Sequence, residues 1–89
     1  MLSIERHKMF IKDLRKVKMS DKYFAKYILY LSKLLENKPL PPEALEHALQ
    51  GEYKECREFH ISGDLLVIYK IEENTLKLIR IGTHAQLFE

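Results

Sequence analysis

The sequence predicts an α+β fold in which a single domain spans residues 1–89. We expect the order β-α-α-β-β-β, with a helix pair packed on an antiparallel sheet. Two observations support this prediction. Apolar residues recur at intervals of three and four in the first half of the chain, which is the period of a helix. After the proline-rich segment 39–42, short apolar runs separated by turn residues replace that pattern, as in a sheet of short strands.

The first half predicts one weak strand and two helices. Residues 1–5 are compatible with a short strand. Residues 6–18 predict a helix whose apolar face is formed by Phe10, Ile11, Leu14 and Val17. Ser20 is a good N-cap for a second helix, and Asp21 suits its first turn. That helix has an apolar stripe made of Phe24, Tyr27, Ile28, Leu31, Leu34 and Leu35. Pro39 prevents it from continuing.

The second half predicts a three-stranded meander. Residues 43–49 are expected to add a helical turn before the first strand, at residues 53–61. The continuous apolar run 65–69 is typical of a central strand covered on both faces. Residues 76–81 predict the last strand, and the residues after Gly82 are expected to form a short tail. Ser62-Gly63-Asp64 and Glu72-Glu73-Asn74 have the composition of turns.

Size and cysteine content restrict the class of protein. A chain of 89 residues buries only a small core. Its single cysteine, Cys56, excludes an internal disulfide and favours a reducing compartment, so we expect a cytoplasmic protein. The first residues are too short and polar for a signal peptide, and no apolar run is long enough for a membrane helix.

Charge is distributed unevenly along the chain. Residues 1–40 hold ten Lys and Arg against four Asp and Glu, a net charge of +6. Residues 41–89 hold five against nine, a net charge of −4. A basic half favours a polyanionic partner such as RNA. Alternatively, the lysines only solvate the outer faces of two helices, and composition does not decide between these interpretations.

Five polar side chains in the second half are candidates for acid–base chemistry: His47, His60, Asp64, Arg80 and His84. Histidine exchanges protons near neutral pH, and the planar fork of arginine matches phosphate oxygens. RNA cleavage needs these groups, because the 2′-hydroxyl is an internal nucleophile that requires a base, an acid and a cation. A zinc site built from the three histidines is the alternative. Their spacing matches no compact ligand motif, so we expect no metal and no cofactor.

The second half resembles the YafQ branch of the RelE superfamily, which are toxins of bacterial type II toxin–antitoxin systems. The resemblance rests on residues 47–51, on Cys56-Arg57-Glu58-Phe59-His60, on Asp64 and residues 66–69, and on the closing run Arg80-Ile81-Gly82-Thr83-His84-Ala85-Gln86-Leu87-Phe88. The closing run is the most specific part. The helical half agrees with the family in length and order only.

The resemblance implies a RelE-like fold and an endoribonuclease that cuts mRNA in the ribosomal A site and blocks translation. His84 would be the general acid, Arg80 the phosphate clamp, and His47 with Asp64 the base. His60 would position substrate or share proton transfer. Phe88 would stack on a base, and Arg57 would also contact substrate. One departure is Leu65, where some members have an aromatic residue after the turn aspartate.

The resemblance also implies partners. A cognate antitoxin would bind the toxin, which we expect to be a monomer when free and a hetero-oligomer in the complex. The basic helices would contact ribosomal RNA through Lys8, Lys12, Arg15, Lys16, Lys18, Lys22 and Lys26. The alternative is a non-catalytic module of the same fold that binds nucleic acid or antitoxin. Leu65 and the acidic residues Glu52, Glu55 and Glu58 are the features that support this alternative.

Overall fold

A computed structural model describes residues 1–88 and shows one mixed sheet with helices on both of its faces. The strands are β1 (Ser3–Arg6), β2 (His47–Ala48), β3 (Arg57–His60), β4 (Leu65–Glu72) and β5 (Thr75–Thr83). The α-helices are α1 (Lys8–Leu14), α2 (Asp21–Leu35) and α3 (His84–Phe88), with short 3-10 helices at Pro42–Ala44 and Gly51–Tyr53.

The sheet has the strand order β1-β5-β4-β3-β2. The predicted meander is confirmed, because β3, β4 and β5 pair antiparallel in sequence order. The expected first strand also exists, but it pairs with β5 in parallel, so the sheet is mixed. A parallel pair requires a long crossover. Here the crossover carries α1, α2, β2, β3 and β4.

Several predicted boundaries were wrong at the ends of elements. α1 begins at Lys8 and ends at Leu14, where Lys16 and Val17 bond to carbonyls three residues back and close the helix with tighter turns. Residues 43–49 contain a 3-10 turn followed by β2, and not an α-helical turn alone. The strand predicted at 53–61 is confined to β3, since Tyr53 ends the second 3-10 helix and residues 54–55 form a turn.

The helix pair covers one face of the sheet, as the sequence predicts. Ser20 caps α2 by accepting a hydrogen bond from the backbone N–H of Tyr23. The buried stripe of α2 consists of Tyr27, Tyr30, Leu31 and Leu34. The predicted stripe was therefore rotated by about one position, because Phe24 and Ile28 are half exposed and Tyr30 is buried.

β5 contains a bulge, and the sheet has apolar side chains on both of its faces. Tyr69 pairs with Leu78 and Ile68 pairs with Arg80, so Ile79 is the extra residue. Leu78 packs in the helix-side core, whereas Ile68 and Ile79 pack in a second, smaller core on the opposite face. We call that opposite face the site face. The buried residues at its centre are Cys56, Leu66, Ile68 and Leu87.

We predict that Phe59→Ala lowers the free energy of unfolding by about 3–5 kcal/mol, because Phe59 is fully buried and packs edge-to-face on Tyr30. Urea denaturation monitored by circular dichroism measures this change. Phe24→Ala is the matched control, since Phe24 is 50% exposed and should cost below about 1 kcal/mol. Equal losses in the two variants would contradict the described core.

Candidate active site

Strand alternation places one histidine and one glutamate on the site face. In β3, Arg57 and Phe59 point to the helix side, so Glu58 and His60 point to the opposite side. His47 in β2 is directly opposite Glu58 and shares its face. The register of β2 and the alternation along β3 thus bring His47, Glu58 and His60 together on one face.

The carboxylate of Glu58 lies between two imidazoles. Its Oε2 atom is 2.7 Å from Nε2 of His60 and 3.4 Å from Nε2 of His47. The side chain of Glu58 is only 3% exposed, and a buried carboxylate needs such partners because burial removes its hydration. Within the described residues, Nδ1 of His60 is buried without a hydrogen-bond partner, so His60 is held through Nε2 alone.

His47 is oriented by the backbone that precedes it. Leu45 adopts a left-handed conformation with φ of 49°, and its carbonyl oxygen lies 2.8 Å from Nδ1 of His47. A carbonyl oxygen only accepts, so Nδ1 donates that bond. Nε2 is therefore the nitrogen that faces Glu58. The ring of His47 is more than half exposed, so solvent or substrate can reach it.

A second glutamate supports the strand that carries His47. Glu46 accepts hydrogen bonds from the hydroxyl of Tyr69 and from Nε of Arg57. Burial alone would raise the pKa of Glu46, but these two bonds outweigh burial and lower it. Burial and the bond to Glu46 together raise the pKa of Tyr69, which remains the donor. The carboxylate of Glu46 therefore stays ionised and anchors β2 to β3 and β4.

The sequence predicts a short tail after β5, and the structure shows that this segment is a short helix. Thr83 and Gln86 form a reciprocal capping box: Gln86 N–H donates to Oγ1 of Thr83 at 3.2 Å, and Thr83 N–H donates to Oε1 of Gln86 at 2.9 Å. This box starts α3 at His84. The rings of His84 and Phe88 then stack with centroids 4.6 Å apart, as expected for positions i and i+4.

These elements enclose an open concavity of about 740 Å³ on the site face. Its lining consists of Leu45, Glu46, His47, Leu49, Glu58, His60, His84 and Phe88. We call it the histidine pocket. Among the predicted site residues, the structure brings together His47, His60, His84 and Phe88. Three imidazoles and an aromatic ring thus share one exposed surface that could accommodate a nucleotide.

Arg80 lies on the same face but outside the histidine pocket. It is in the cross-strand row His47–Glu58–Ile68–Arg80, two strand spacings or roughly 10 Å from Glu58. Its guanidinium forms a bidentate pair with Asp13 of α1, at 2.6 Å and 3.0 Å. Hydrogen bonds to Asp13 raise the pKa of Arg80, so it stays charged.

Aromatic rings connect Arg80 to the pocket. Nη1 of Arg80 lies 3.5 Å from the hydroxyl of Tyr53, whose ring packs edge-to-face on Phe88 at 5.8 Å. Phe88 in turn stacks on His84. Arg80 and the imidazoles are therefore at two ends of a continuous surface.

Two other predicted site residues lie elsewhere. Asp64 is exposed in the β3–β4 turn and does not line the histidine pocket. Its expected place beside His47 is taken by Glu58. Arg57 points to the opposite face of β3 and pairs with Glu46 at 2.8 Å. The predicted convergence of all five catalytic candidates on a single cleft is therefore incomplete.

Sequence reasoning missed four polar residues that organise this surface: Asp13, Glu46, Glu58 and Gln86. Glu58 was noticed only as part of an acidic cluster, although its position two residues before His60 implies a shared strand face. Thr83-x-x-Gln86 is a capping-box pattern and would have predicted α3. Nothing in the sequence indicates that Asp13 contacts Arg80, which is 67 residues away.

Comparison with known proteins decides the family. A family model described as the bacterial toxin of a type II toxin–antitoxin system, YafQ, matches residues 2–89. The chain belongs to this family. A curated relative, the mRNA interferase toxin YafQ of Escherichia coli strain B / BL21-DE3, is 38% identical over 87 residues, which are 96% of this chain and 94% of the relative.

Solved structures of this family share the fold of the chain. The crystal structure of YafQ from E. coli BL21(DE3) aligns with a TM-score of 0.87 and 32% identity over all of both chains. YafQ in the E. coli DinJ–YafQ toxin–antitoxin complex aligns with a TM-score of 0.84 and 34% identity, over 99% of this chain and 98% of that one. A metal-bound toxin from Helicobacter pylori aligns with a TM-score of 0.82 and 41% identity, over 99% and 100%. The predicted RelE-like α+β fold is confirmed.

The described residues contain neither a metal-binding cluster nor a membrane-spanning helix. Within residues 1–88, no three His, Cys, Asp or Glu side chains are grouped so as to hold a metal ion. No helix in that part of the chain has the length and apolar character needed to cross a membrane.

We predict that Gln86→Ala removes the capping box and lowers the free energy of unfolding by about 1 kcal/mol. The backbone N–H of Thr83 loses its acceptor, and the N–H of residue 86 is held less well against Oγ1 of Thr83. Amide hydrogen exchange of α3 should increase by more than that of α2. Ala85→Gly is a control that weakens α3 by a similar amount without touching the box. Unchanged exchange at Thr83 in the Gln86 variant would contradict the described cap.

Proposed function

We propose that this chain is a ribosome-dependent endoribonuclease that cleaves mRNA and thereby acts as the toxin of its toxin–antitoxin pair. The observation that carries the proposal is the histidine pocket, which three imidazoles line and in which two of them contact the buried carboxylate of Glu58. The relatives named mRNA interferases support the same reaction. The proposal requires no metal, because imidazole and guanidinium groups supply every charge and proton that the reaction needs.

The proposed step is an internal displacement at phosphorus. A base removes the proton of the 2′-hydroxyl, and the O2′–P bond forms while the P–O5′ bond breaks. An acid gives its proton to the leaving O5′. The products are a 2′,3′-cyclic phosphate on one fragment and a 5′-hydroxyl on the other. Charge that grows on the phosphoryl oxygens during this step is stabilised by a guanidinium.

The positions of the side chains favour the following roles. His84 is the general acid, because its ring is exposed at the start of α3 and does not bond to Glu58. His47 is the base, with Nε2 as the proton-accepting atom. Glu58 orients His47 and His60, and it lies beside His47, where the resemblance had implied that Asp64 would share the base role. Arg80 stabilises the phosphoryl group. Asp64 and Arg57 lie outside the pocket and have no assigned role in this step.

Phe88 is proposed to stack on a base of the mRNA. Its ring is 37% exposed at the mouth of the histidine pocket and is held from two sides, by His84 and by Tyr53. A rigid, exposed aromatic ring is a platform for an unstacked base. Stacking there would place the adjacent phosphate between the imidazole of His84 and the guanidinium of Arg80.

The proposed partners are a cognate antitoxin, the ribosome and the mRNA in its A site. The DinJ–YafQ complex is the precedent for the antitoxin, and ribosomes place the proposed action in the cytoplasm. Lys8, Lys12 and Arg15 line one depression on α1, which supports a phosphate-binding surface there. The other proposed ribosome contacts, Lys16, Lys18 and Lys22, are also exposed. Lys26 is half-buried and paired with Glu43.

The competing function is a non-catalytic module that binds nucleic acid or antitoxin. Expression of the chain alone from a tightly controlled promoter, followed by mapping of mRNA ends, separates the two. The proposed toxin stops growth and leaves new ends within codons. A binding module leaves mRNA uncut, and that result would refute the proposal.

We predict that His84→Ala lowers the single-turnover rate of mRNA cleavage on ribosomes by about 10²–10⁴-fold, because the leaving O5′ loses its proton donor. Antitoxin binding and the melting temperature should stay close to native values, since the His84 ring is exposed. His7→Asn is the matched control: it removes an imidazole that does not line the pocket and keeps an N-cap for α1. Undiminished cleavage by the alanine variant would remove the assigned acid.

We predict that replacing Lys8, Lys12 and Arg15 together by Gln weakens ribosome binding and flattens its salt dependence. Each lost phosphate contact should reduce the slope of log affinity against log salt by about 0.7–0.9. Titration of labelled protein with ribosomes at several salt concentrations measures the slope. Lys38→Gln, at an exposed lysine just beyond the C-terminal end of α2, is the control. A slope unchanged by the triple substitution would move the ribosome contact to another surface.

A further inference from the structure

Asp13 of α1 bonds to both the side chain of Arg80 and the backbone of β5, and it lies outside the histidine pocket. Its carboxylate receives three hydrogen bonds: two from the guanidinium of Arg80, at 2.6 Å and 3.0 Å, and one from the backbone N–H of Ile81, at 3.2 Å. The side chain is 13% exposed. From this geometry, and resting on the proposed function, we infer that Asp13 is a positioning residue that aims Arg80 at the scissile phosphate.

The first argument is that Asp13 occupies only one edge of the Arg80 guanidinium. Asp13 binds Nε and Nη2, which form the side edge of the group. An arginine has five N–H donors in a rigid plane, so the terminal edge that includes Nη1 remains available for an anion. Nη1 is also the atom closest to Tyr53, in the direction of Phe88. Asp13 thus holds the guanidinium by one edge and turns the other toward the pocket.

The backbone bond is the second argument. β1 ends at Arg6, opposite Leu78, so β5 has no strand neighbour on that side at Ile81. The carboxylate of Asp13 takes the place of a strand carbonyl there and accepts the N–H of Ile81. Because β5 continues directly into α3, the same carboxylate holds the chain just before the capping box. One group therefore sets the position of both Arg80 and the segment that carries His84.

Two other interpretations make different predictions. If the pair only stabilises the fold, removal of Asp13 should reduce activity whether or not Arg80 is present. If Asp13 sequesters Arg80 from RNA, its removal should increase activity. Positioning predicts a loss that depends on Arg80, because misplacing a catalytic group by about 1 Å can cost on the order of 10²-fold in rate.

The experiment is a double-substitution cycle of Asp13→Asn and Arg80→Ala, with single-turnover mRNA cleavage on ribosomes as the readout. Asparagine keeps the shape of the side chain and one acceptor but removes the charge and the bidentate pairing. We expect Asp13→Asn to lower the maximal rate by about 10–100-fold with the half-saturating ribosome concentration unchanged. In the Arg80→Ala background, followed through long incubations, the same substitution should have less than about a threefold effect.

Folding is monitored by the melting temperature and by antitoxin binding in every variant. Asp13→Glu keeps the charge and both acceptors, so it should lose less activity than Asp13→Asn. This second variant also keeps the test informative should the asparagine variant unfold. Glu72→Gln is the matched control, since Glu72 also binds two cations on the sheet, Lys70 and Lys77, but at the opposite end of β4.

The outcomes separate the two levels of the argument. If Arg80→Ala cleaves at the native rate, the phosphate-clamp role within the proposed function is wrong and this inference falls with it. If Arg80→Ala is impaired but Asp13→Asn cleaves normally, only the positioning role is wrong. An increased rate in Asp13→Asn, an equal loss in both backgrounds, or a loss in folded Asp13→Glu as large as in folded Asp13→Asn would each overturn it.

Discussion

The histidine pocket depends on the contacts that the carboxylate of Glu58 makes with two imidazoles. It is buried on the site face of β3, and burial would be unfavourable without the imidazoles of His60 and His47 beside it. Satisfying this one group fixes the orientation of both rings. The left-handed turn at Leu45 completes the arrangement by holding His47 from its other nitrogen. Polar residues from two strands thus form one cluster with fixed orientations.

The same principle operates on the basic side of the surface. Asp13 holds the guanidinium of Arg80 as Glu58 holds the imidazoles of His47 and His60, so a carboxylate orients each of these three groups. Tyr53 and Phe88 lie between the two charge clusters and separate them with aromatic surface. In the proposed reaction, the phosphate bridges this gap. In this proposal, RNA binds between the guanidinium of Arg80 and the histidine pocket, and the fold holds both in position before RNA binds.

Much of the architecture could be predicted because it depends on local patterns. Ser20 caps α2, the run beginning at Leu65 is a central strand, and Glu73-Asn74 forms the turn with positive φ at both residues. Errors arose where tertiary contacts override local preference. The apolar period did not reveal that Phe24 faces outward, nor that the bulge at Ile79 shifts the alternation of β5. Both depend on which neighbouring element covers the residue.

The sequence by itself determined the α+β class, the meander and the family, because period, turn chemistry and the closing run from Arg80 to Phe88 are contiguous in the chain. It also indicated which histidines to consider. Only the tertiary structure decided which groups meet. Cross-strand register put His47 beside Glu58 and left Asp64 in a turn, and the packing of α1 on β5 brought Asp13 to Arg80. Such pairings depend on how segments that are far apart along the chain pack in space. The sequence contains no local pattern that indicates these contacts.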